Sequence, residues 1–165
     1  MKINGTLLYP ILGDKVLLGI KKKKIGANLL NGFGGKPIPA DGNNIRNTAC
    51  REFYEETGKG LLAHESNVTA RAIIRIFFFE NTTNEPDWTV AVYTAKHWKG
   101  EALETDEMSL PTPYPIRNLP YDRMMPADRY FLPKIFGTED QFVATFRYNI
   151  DKSGIISEAY EKTTL

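Results

Sequence analysis

One eight-residue stretch, Arg51-Glu52-Phe53-Tyr54-Glu55-Glu56-Thr57-Gly58, decides how the rest of the chain is interpreted. In a helix, Glu55 and Glu56 would lie three and four residues after Glu52. At these separations the three carboxylates share one face of the helix. Two such charges at 4 Å repel each other by roughly 4 kcal/mol at an effective dielectric constant of about 20. A divalent cation relieves that repulsion, and Mg²⁺ and Mn²⁺ prefer oxygen ligands. The stretch therefore predicts either a metal site or an ordinary solvated acidic face with Arg51 in a surface ion pair.

The residues before this stretch predict a glycine-rich loop and then the helix. Asn31-Gly32-Phe33-Gly34-Gly35 is a loop pattern, because glycine tolerates positive φ and lets the backbone approach a bulky group. Asn44 is a suitable N-cap, and Gly58 stands where a helix-ending glycine is expected. The apolar stripe recurs every four residues, at Ile45, Ala49 and Phe53. A helix carrying the acidic face should therefore begin after Asn44.

The other segments predict a mixed sheet. Runs of strand composition cover residues 6–12, 16–20, 70–79, 88–98, 141–150 and 155–160. Consecutive pairs of these runs are separated by turn or loop residues, so three hairpins are expected. A short helix is predicted at 128–136 in spite of Pro133, and irregular chain around the prolines of 111–120. Together these elements predict an α/β (α+β) sandwich in a single domain, residues 1–165.

Composition and charge exclude several classes of protein. The chain has 165 residues, of which 42% are hydrophobic, and a formal net charge of +1. No apolar run is long enough for a membrane span, and the N-terminus lacks a secretory cleavage pattern. Cys50 is the only cysteine, which fits a reducing cytoplasm. The balanced charge is no strong sign of nucleic-acid binding, and the oligomeric state stays open. Lys21–Lys24 predicts either a solvated strand end or a basic rim for a phosphorylated ligand.

The glycine loop and the acidic helix together resemble the Nudix box, Gly-x5-Glu-x7-Arg-Glu-U-x-Glu-Glu-x-Gly-U, where U is a bulky apolar residue. Gly35 matches the first glycine, and residues 51–58 match the distal half. The interval from Gly35 to Arg51 is two residues longer than the pattern, which we place as an insertion around residues 37–40. Asn43 stands where the first motif glutamate is expected. The resemblance implies a Nudix-type α/β/α sandwich with a mixed sheet and one catalytic helix.

Further blocks resemble the MutT-homologue branch of the family, which acts on oxidised purine nucleoside triphosphates. These blocks are residues 16–19, 31–36, 104–108, 119–120 and 124–131, in the family order. The resemblance implies a small-molecule nucleotide substrate, an oxidised purine nucleotide such as 8-oxo-dGTP, hydrolysed to a nucleoside monophosphate and pyrophosphate. It also implies Mg²⁺ as cofactor, with Mn²⁺ as a substitute.

Site residues follow from the same resemblance, position by position. Arg51, Glu52, Glu55 and Glu56 form the implied catalytic set, in which Arg51 orients the glutamates and Glu56 is the key ligand. The implied metal ligands are Gly35, Glu52, Glu55, Glu56 and Glu107. The implied substrate-binding residues are Lys21, Asn31, Gly34, Gly35, Lys36, Phe78, Met125 and Asp128. For Asn31, a turn-forming role before glycine explains the residue equally well.

Two departures from the family leave the substrate open. Met125 stands where the family has a base-stacking tryptophan, and Ala127 replaces the first of two base-reading acids. Phe78 and Trp88 are either pocket residues or sheet packing. A Nudix hydrolase of another diphosphate is therefore the first alternative: a dinucleoside polyphosphate, a nucleotide sugar or an RNA 5′ end. A non-catalytic nucleotide-binding module, suggested by Asn43 and the longer loop, is the second.

Overall fold

The computed structural model describes residues 2–24 and 26–165. Two α-helices and ten strands make up the regular structure. The helices are α1 (Ile45–Glu56) and α2 (Asp128–Gly137). The strands are β1 (Gly5–Leu12), β2 (Lys15–Ile20), β3 (Leu30–Asn31), β4 (Leu61–Leu62), β5 (Val68–Phe77), β6 (Trp88–Ala95), β7 (Lys99–Gly100), β8 (Thr112–Pro115), β9 (Gln141–Tyr148) and β10 (Ile155–Thr163). Four short 3-10 helices lie between them.

The main sheet has eight strands and is mixed. Its order is β10-β9-β5-β6-β1-β2-β3, with β8 paired to β2. β1 runs parallel to β6, and β5 runs parallel to β9, while the other pairs are antiparallel. The parallel pairings bring the first and last hairpins together with the middle one, as the predicted mixed sheet requires.

Each face of the sheet is covered by one helix. Because successive side chains of a strand point to opposite faces, neighbouring residues fall into different cores. Ile74 packs in the cluster that contains Phe131 and Leu132 of α2. Ile73 packs in the cluster that contains Ala49 and Phe53 of α1. The predicted α/β/α sandwich is therefore confirmed, and α1 stands on the face opposite α2.

Most predicted elements are confirmed, with shifted ends. The Asn44 side chain accepts a hydrogen bond from the Arg46 N–H, and α1 begins at Ile45. All three predicted hairpins are antiparallel pairs. The strand predicted at 70–79 begins at Val68 and ends at Phe77. Strand ends depend on the partner strand, which local patterning does not reveal.

One prediction about proline was wrong, and the other was confirmed. Residues 112–115 form β8 within the segment predicted to be irregular, antiparallel to β2. Proline is tolerated there because β8 pairs on one side only, so the missing N–H groups of Pro113 and Pro115 can face outward. Pro133 lies inside α2, which continues through it to Gly137. Burial of Leu132 and Ile135 against the sheet offsets the lost backbone hydrogen bond.

Neither helix within residues 2–24 and 26–165 has the length and hydropathy needed to cross a membrane.

Candidate active site

A cavity of about 730 Å³ opens between the sheet, α1 and the segment that leads into α2. Eleven of the predicted site residues line it: Lys21, Asn31, Gly34, Gly35, Lys36, Glu52, Glu56, Phe78, Glu107, Met125 and Asp128. Arg51 and Glu55 do not line it. We call the part around Glu52, Glu56 and Glu107 the carboxylate end. We call the part around Phe78, Met125, Asp128 and Tyr148 the apolar end.

The glycine loop lies directly against α1. The Gly34 N–H donates a hydrogen bond of 2.8 Å to Glu56 Oε2. A Cβ atom on Gly34 would overlap the backbone carbonyl of Thr6, and one on Gly35 would overlap the Glu52 carboxylate. Neither glycine has positive φ, so close approach is the reason for both. The loop thus fixes two carboxylates of α1 at the cavity wall.

The environment of Glu56 disfavours the ionised form of its carboxyl group. Glu56 is only 4% exposed. Burial raises the pKa of Glu56 to about 7, against the opposing effects of Lys21 and the Gly34 N–H. The negative charges of Glu52 and Glu107 raise this pKa further. Burial also raises the pKa of Glu52, where Arg51 opposes the shift. A cation bound here would relieve both penalties.

Arg51 connects α1 to the loop before it. Its Nη1 donates to Glu52 Oε1 and to Glu55 Oε2, both at 2.8 Å. Its Nε donates to Asp41 Oδ1 at 2.7 Å, and its Nη2 donates to Asp41 Oδ2 at 3.1 Å and to the Lys36 carbonyl. The guanidinium therefore orients two glutamates while it is itself held from the opposite side.

Three of the predicted metal ligands are engaged in ion pairs: Glu52, which pairs with Arg51 at 2.8 Å, Glu55 and Glu107. Glu55 pairs with Arg51, and its side chain is 48% exposed. Glu107 pairs with Lys24 at 3.2 Å. Within the described part of the chain, no three His, Cys, Asp or Glu side chains are grouped so that they could hold a metal ion. The carboxylates that line the carboxylate end of the cavity are those of Glu52, Glu56 and Glu107, and Asp128 lines the apolar end.

The lysine run, residues 21–24, partly fits both of its interpretations, as a solvated strand end and as a basic rim for a phosphorylated ligand. Three consecutive lysines pair with three acids of the loop at 104–107. The pairs are Lys22 with Glu104, Lys23 with Asp106 and Lys24 with Glu107. These are largely exposed pairs, each of which contributes little to stability. Lys21 and Lys24 also line the cavity, so two positive charges face the carboxylate end.

The apolar end contains one buried acid. Asp128, at the start of α2, is 3% exposed, and it accepts a hydrogen bond of 3.1 Å from the Met125 N–H. Burial raises the pKa of Asp128 to about 7. Phe78 and Trp88 both line the cavity, and Lys36 Nζ lies 5.3 Å from the centre of the Trp88 ring. The interpretation of Phe78 and Trp88 as pocket residues is therefore supported, although Phe78 also packs against the core.

No family model matches the chain. The fold is similar to that of the MutT protein of Bacillus halodurans, with a TM-score of 0.79 and 21% identity over 95% of this chain and 96% of that one. It is also similar to a MutT NUDIX hydrolase of Burkholderia pseudomallei, with a TM-score of 0.62 and 21% identity over 80% of this chain and 97% of that one.

The sequence is 30% identical, over 152 residues, to the oxidized purine nucleoside triphosphate hydrolase of Mus musculus. The match covers 92% of this chain and 90% of that protein. The chain belongs to the Nudix hydrolase family. A zebrafish (Danio rerio) protein of the same name is 31% identical, over 87% of this chain and 85% of its own length.

One acid beside the Nudix box of this hydrolase, Asp41, was not among the predicted site residues. Asn43, at the position of the first motif glutamate, is exposed and has no side-chain hydrogen bond among the described residues. Asp41, two residues earlier, is buried and binds Arg51 together with Thr48 Oγ1. The 3-10 turn Pro39–Asp41 places this carboxylate beside α1. The sequence held one signal for this role, because Asp41 is an acid only two residues before the position of the first motif glutamate.

Other cavity residues of this Nudix hydrolase were absent from the predicted set, and Lys24, Trp88 and Tyr148 are among them. Lys24 belonged to the lysine run, and Trp88 was considered and left undecided. Tyr148, at the end of β9, gave no signal in the sequence, because a tyrosine in a strand is most often packing. The parallel pairing of β9 with β5 brings it to the cavity.

Proposed function

We propose that this Nudix hydrolase is a metal-dependent nucleoside triphosphate pyrophosphohydrolase that acts on an oxidised purine nucleotide such as 8-oxo-dGTP. The observation that carries the proposal is one cavity that joins Glu52 and Glu56 to an apolar end containing the buried Asp128. Such a shape suits a ligand with a polyphosphate at one end and a flat base at the other. The names of the mouse and zebrafish relatives point to the same substrate class.

The residues of the carboxylate end fit a divalent cation. Glu56 is buried, and the charges of Glu52 and Glu107 make its ionised form costlier still. We propose Glu52 and Glu56 as the principal ligands, with Glu55, Glu107 and the Gly35 carbonyl as further ones. Mg²⁺ is the ion we propose, because these donors are hard oxygens. When bound, such an ion neutralises charge on phosphate oxygens and lowers the pKa of water.

The chain itself supplies binding and orientation. Lys21, Lys24 and Lys36 line the cavity and offer positive charge to the phosphates. Arg51 holds Glu52 through a 2.8 Å hydrogen bond and so keeps its carboxylate in one orientation. Apolar side chains line the other end, where Asp128 is the buried polar group that can hydrogen-bond the edge of a base. Asn31 also lines the cavity, and its side-chain amide makes no hydrogen bond among the described residues, so we propose that it hydrogen-bonds the ligand.

The proposed reaction adds water across one phosphoric anhydride bond. A new P–O bond forms to the oxygen of water, and the bond to the leaving pyrophosphate breaks in line with it. The products are a nucleoside monophosphate and pyrophosphate.

The single free cysteine, Cys50, and the absence of a second thiol for a disulfide fit a cytoplasmic enzyme.

A substrate panel tests the proposal. We would measure product release with Mg²⁺ from normal and 8-oxo purine triphosphates, dinucleoside polyphosphates, a nucleotide sugar and capped RNA. We expect pyrophosphate and a monophosphate, fastest from an oxidised purine. Faster cleavage of a dinucleoside polyphosphate or a nucleotide sugar would replace the substrate but keep the reaction class. Binding without any cleavage would contradict the enzymatic proposal.

A further inference from the structure

Three buried polar side chains near the apolar end, those of Asp128, Tyr9 and Tyr148, have few hydrogen-bond partners. Asp128 accepts one, from the Met125 N–H. The hydroxyl groups of Tyr9 and Tyr148 are buried and have no hydrogen-bond partner among the described residues. Buried polar groups in folded proteins nearly always have a partner, so each exception needs an explanation. A bound ligand that completes the hydrogen bonding is one such explanation.

Both hydroxyls lie within the electrostatic influence of the same carboxylate. Burial, and then the charge of Asp128, raise the pKa of Tyr9 and of Tyr148. The backbone N–H of Ala127 partly opposes the shift at Tyr148, without the geometry of a hydrogen bond. The two tyrosines thus have the same burial, the same unpartnered hydroxyl and the same acidic neighbour.

Only one of the two tyrosines lines the cavity. Tyr148 does so together with Asp128 and Phe78, and its ring meets that of Phe78 edge to face, with the centroids 5.8 Å apart. Tyr9 is fully buried in the core behind, where its ring contacts Phe136. A ligand at the apolar end can therefore reach the neighbourhood of one hydroxyl and not of the other.

We propose that Tyr148 is a specificity-determining residue whose hydroxyl hydrogen-bonds the base of the bound nucleotide, beside Asp128. The inference rests on the proposed function, because it takes the occupant of the cavity to be a nucleotide. A hydroxyl both donates and accepts, so it pairs with a ring nitrogen or an exocyclic oxygen of a purine edge. The hydroxyl is covered in this structure, so a base reaches it when a neighbouring side chain, such as the Phe78 ring, moves aside.

This assignment gives the pocket two polar contacts on an otherwise apolar wall. Met125 and Ala127, from the same segment as Asp128, supply no side-chain hydrogen bond. A site built to hydrogen-bond its ligand discriminates strongly against analogues that leave its buried groups unpaired. Removal of the Tyr148 hydroxyl should therefore change which base is preferred, and not only the affinity.

The substitutions Tyr148→Phe and Tyr9→Phe form a matched pair. Each removes one buried, unpartnered hydroxyl and keeps the ring, but only Tyr148 lines the cavity. We would measure the dissociation constants of purine monophosphates by calorimetry without metal, and kcat and KM of the triphosphates with Mg²⁺. Tyr148→Phe should weaken the preferred nucleotide about tenfold, mainly in KM, and reduce the spread between bases. Tyr9→Phe should stay within about twofold of the wild type.

Thermal unfolding gives a readout independent of turnover. Neither variant should be less stable than the wild type, because each loses a polar group that has no partner in the fold. If Tyr148→Phe matches the wild type in affinity and base ranking, the assignment is wrong. Equal losses in both variants would also overturn it, since they would indicate a general packing effect.

Different results would contradict the proposed hydrolase activity and the proposed role of the Tyr148 hydroxyl. Wild-type protein that neither binds nor cleaves nucleotides overturns the proposed function and this assignment with it. Wild-type protein that cleaves them, with Tyr148→Phe unchanged, overturns the assignment alone.

Discussion

Asp41 and Arg51 are joined by a two-point ion pair, with Nε to Oδ1 at 2.7 Å and Nη2 to Oδ2 at 3.1 Å. The same guanidinium continues to Glu52 and Glu55, so the 3-10 turn before α1 and the acidic face of α1 are held by one side chain. The orientation of the carboxylates therefore depends on an acid that lies outside the matched part of the Nudix box.

Replacement of Asp41 should lower stability in a pH-dependent way. Hydrogen bonding from Arg51 is the main reason that the pKa of Asp41 falls to about 2. An acid whose folded pKa is depressed stabilises the protein above its unfolded pKa of about 4 and loses that contribution as pH falls toward 2. Asp41→Asn should therefore cost about 1–2 kcal/mol of unfolding free energy at neutral pH, and the difference from wild type should shrink in acid.

Denaturant titrations at several pH values measure this. Asn43→Ala is the matched control, because Asn43 is exposed and its side chain makes no hydrogen bond within residues 2–24 and 26–165. It should stay within about 0.5 kcal/mol of the wild type. A larger loss from Asn43→Ala than from Asp41→Asn would show that Asn43, and not Asp41, stabilises the loop before α1.

Glu56→Gln should abolish most turnover without unfolding the chain. A glutamine oxygen can still accept the Gly34 N–H, so the loop contact survives while the charge is lost. We expect kcat to fall at least about a hundredfold. Chelation of divalent metal should reduce wild-type turnover to a similar level.

Metal titration monitored by thermal unfolding separates binding from chemistry in this variant. Mg²⁺ should raise the melting temperature of the wild type, because a ligand that binds only the folded state stabilises it. The rise should be much smaller in Glu56→Gln. Glu55→Gln is the comparison, since Glu55 is half exposed and outside the cavity lining, and it should lose less activity. Full turnover in Glu56→Gln would contradict its assigned role.

Asp128 should make the protein less stable as pH rises from about 4 to about 7. Burial raises the folded pKa of Asp128 to about 7, so across this interval the folded state holds a proton that the unfolded state has released. One such group lowers the unfolding free energy by up to about 1.4 kcal/mol per pH unit. The groups that its charge affects are the hydroxyls of Tyr9, Tyr121 and Tyr148.

The difference between Asp128→Asn and wild type isolates this group, since Glu56 titrates in the same interval. Unfolding free energies at pH values across the interval should converge at low pH and favour the variant at high pH. Parallel pH profiles for the two proteins would show that Asp128 does not retain its proton in the fold.

Gly34→Ala should be far more damaging than Gly13→Ala. A Cβ on Gly34 would overlap the Thr6 carbonyl and push the Gly34 N–H away from Glu56. We expect a loss of at least about 3 kcal/mol of unfolding free energy, together with lost activity. Gly13 has positive φ but open space around a Cβ, so Gly13→Ala should cost about 1 kcal/mol and leave activity unchanged. Equal effects on unfolding free energy would show that the loop can shift away from Thr6.

The sequence alone determined the features that depend on near neighbours. The stripe of Ala49 and Phe53, the cap at Asn44 and the stop at Gly58 specify α1, because helical contacts join residues three and four positions apart. The common face of Glu52 and Glu56 follows from the same spacing. The six strands of the three hairpins are likewise readable from their composition and from the turns between them.

Only the tertiary structure decided which distant segments meet. Asp41 reaches Arg51 through a 3-10 turn in a loop whose length departs from the family pattern. Tyr148 reaches the cavity because β9 pairs in parallel with β5, a pairing that the periodicity of neither strand encodes. Strand order and register are set by the burial of both sheet faces at once, under the two helices. The acidic face of the helix was therefore readable from sequence, and the family resemblance supplied Phe78, Met125 and Asp128 of the apolar end, whereas Asp41 and Tyr148 were not predicted.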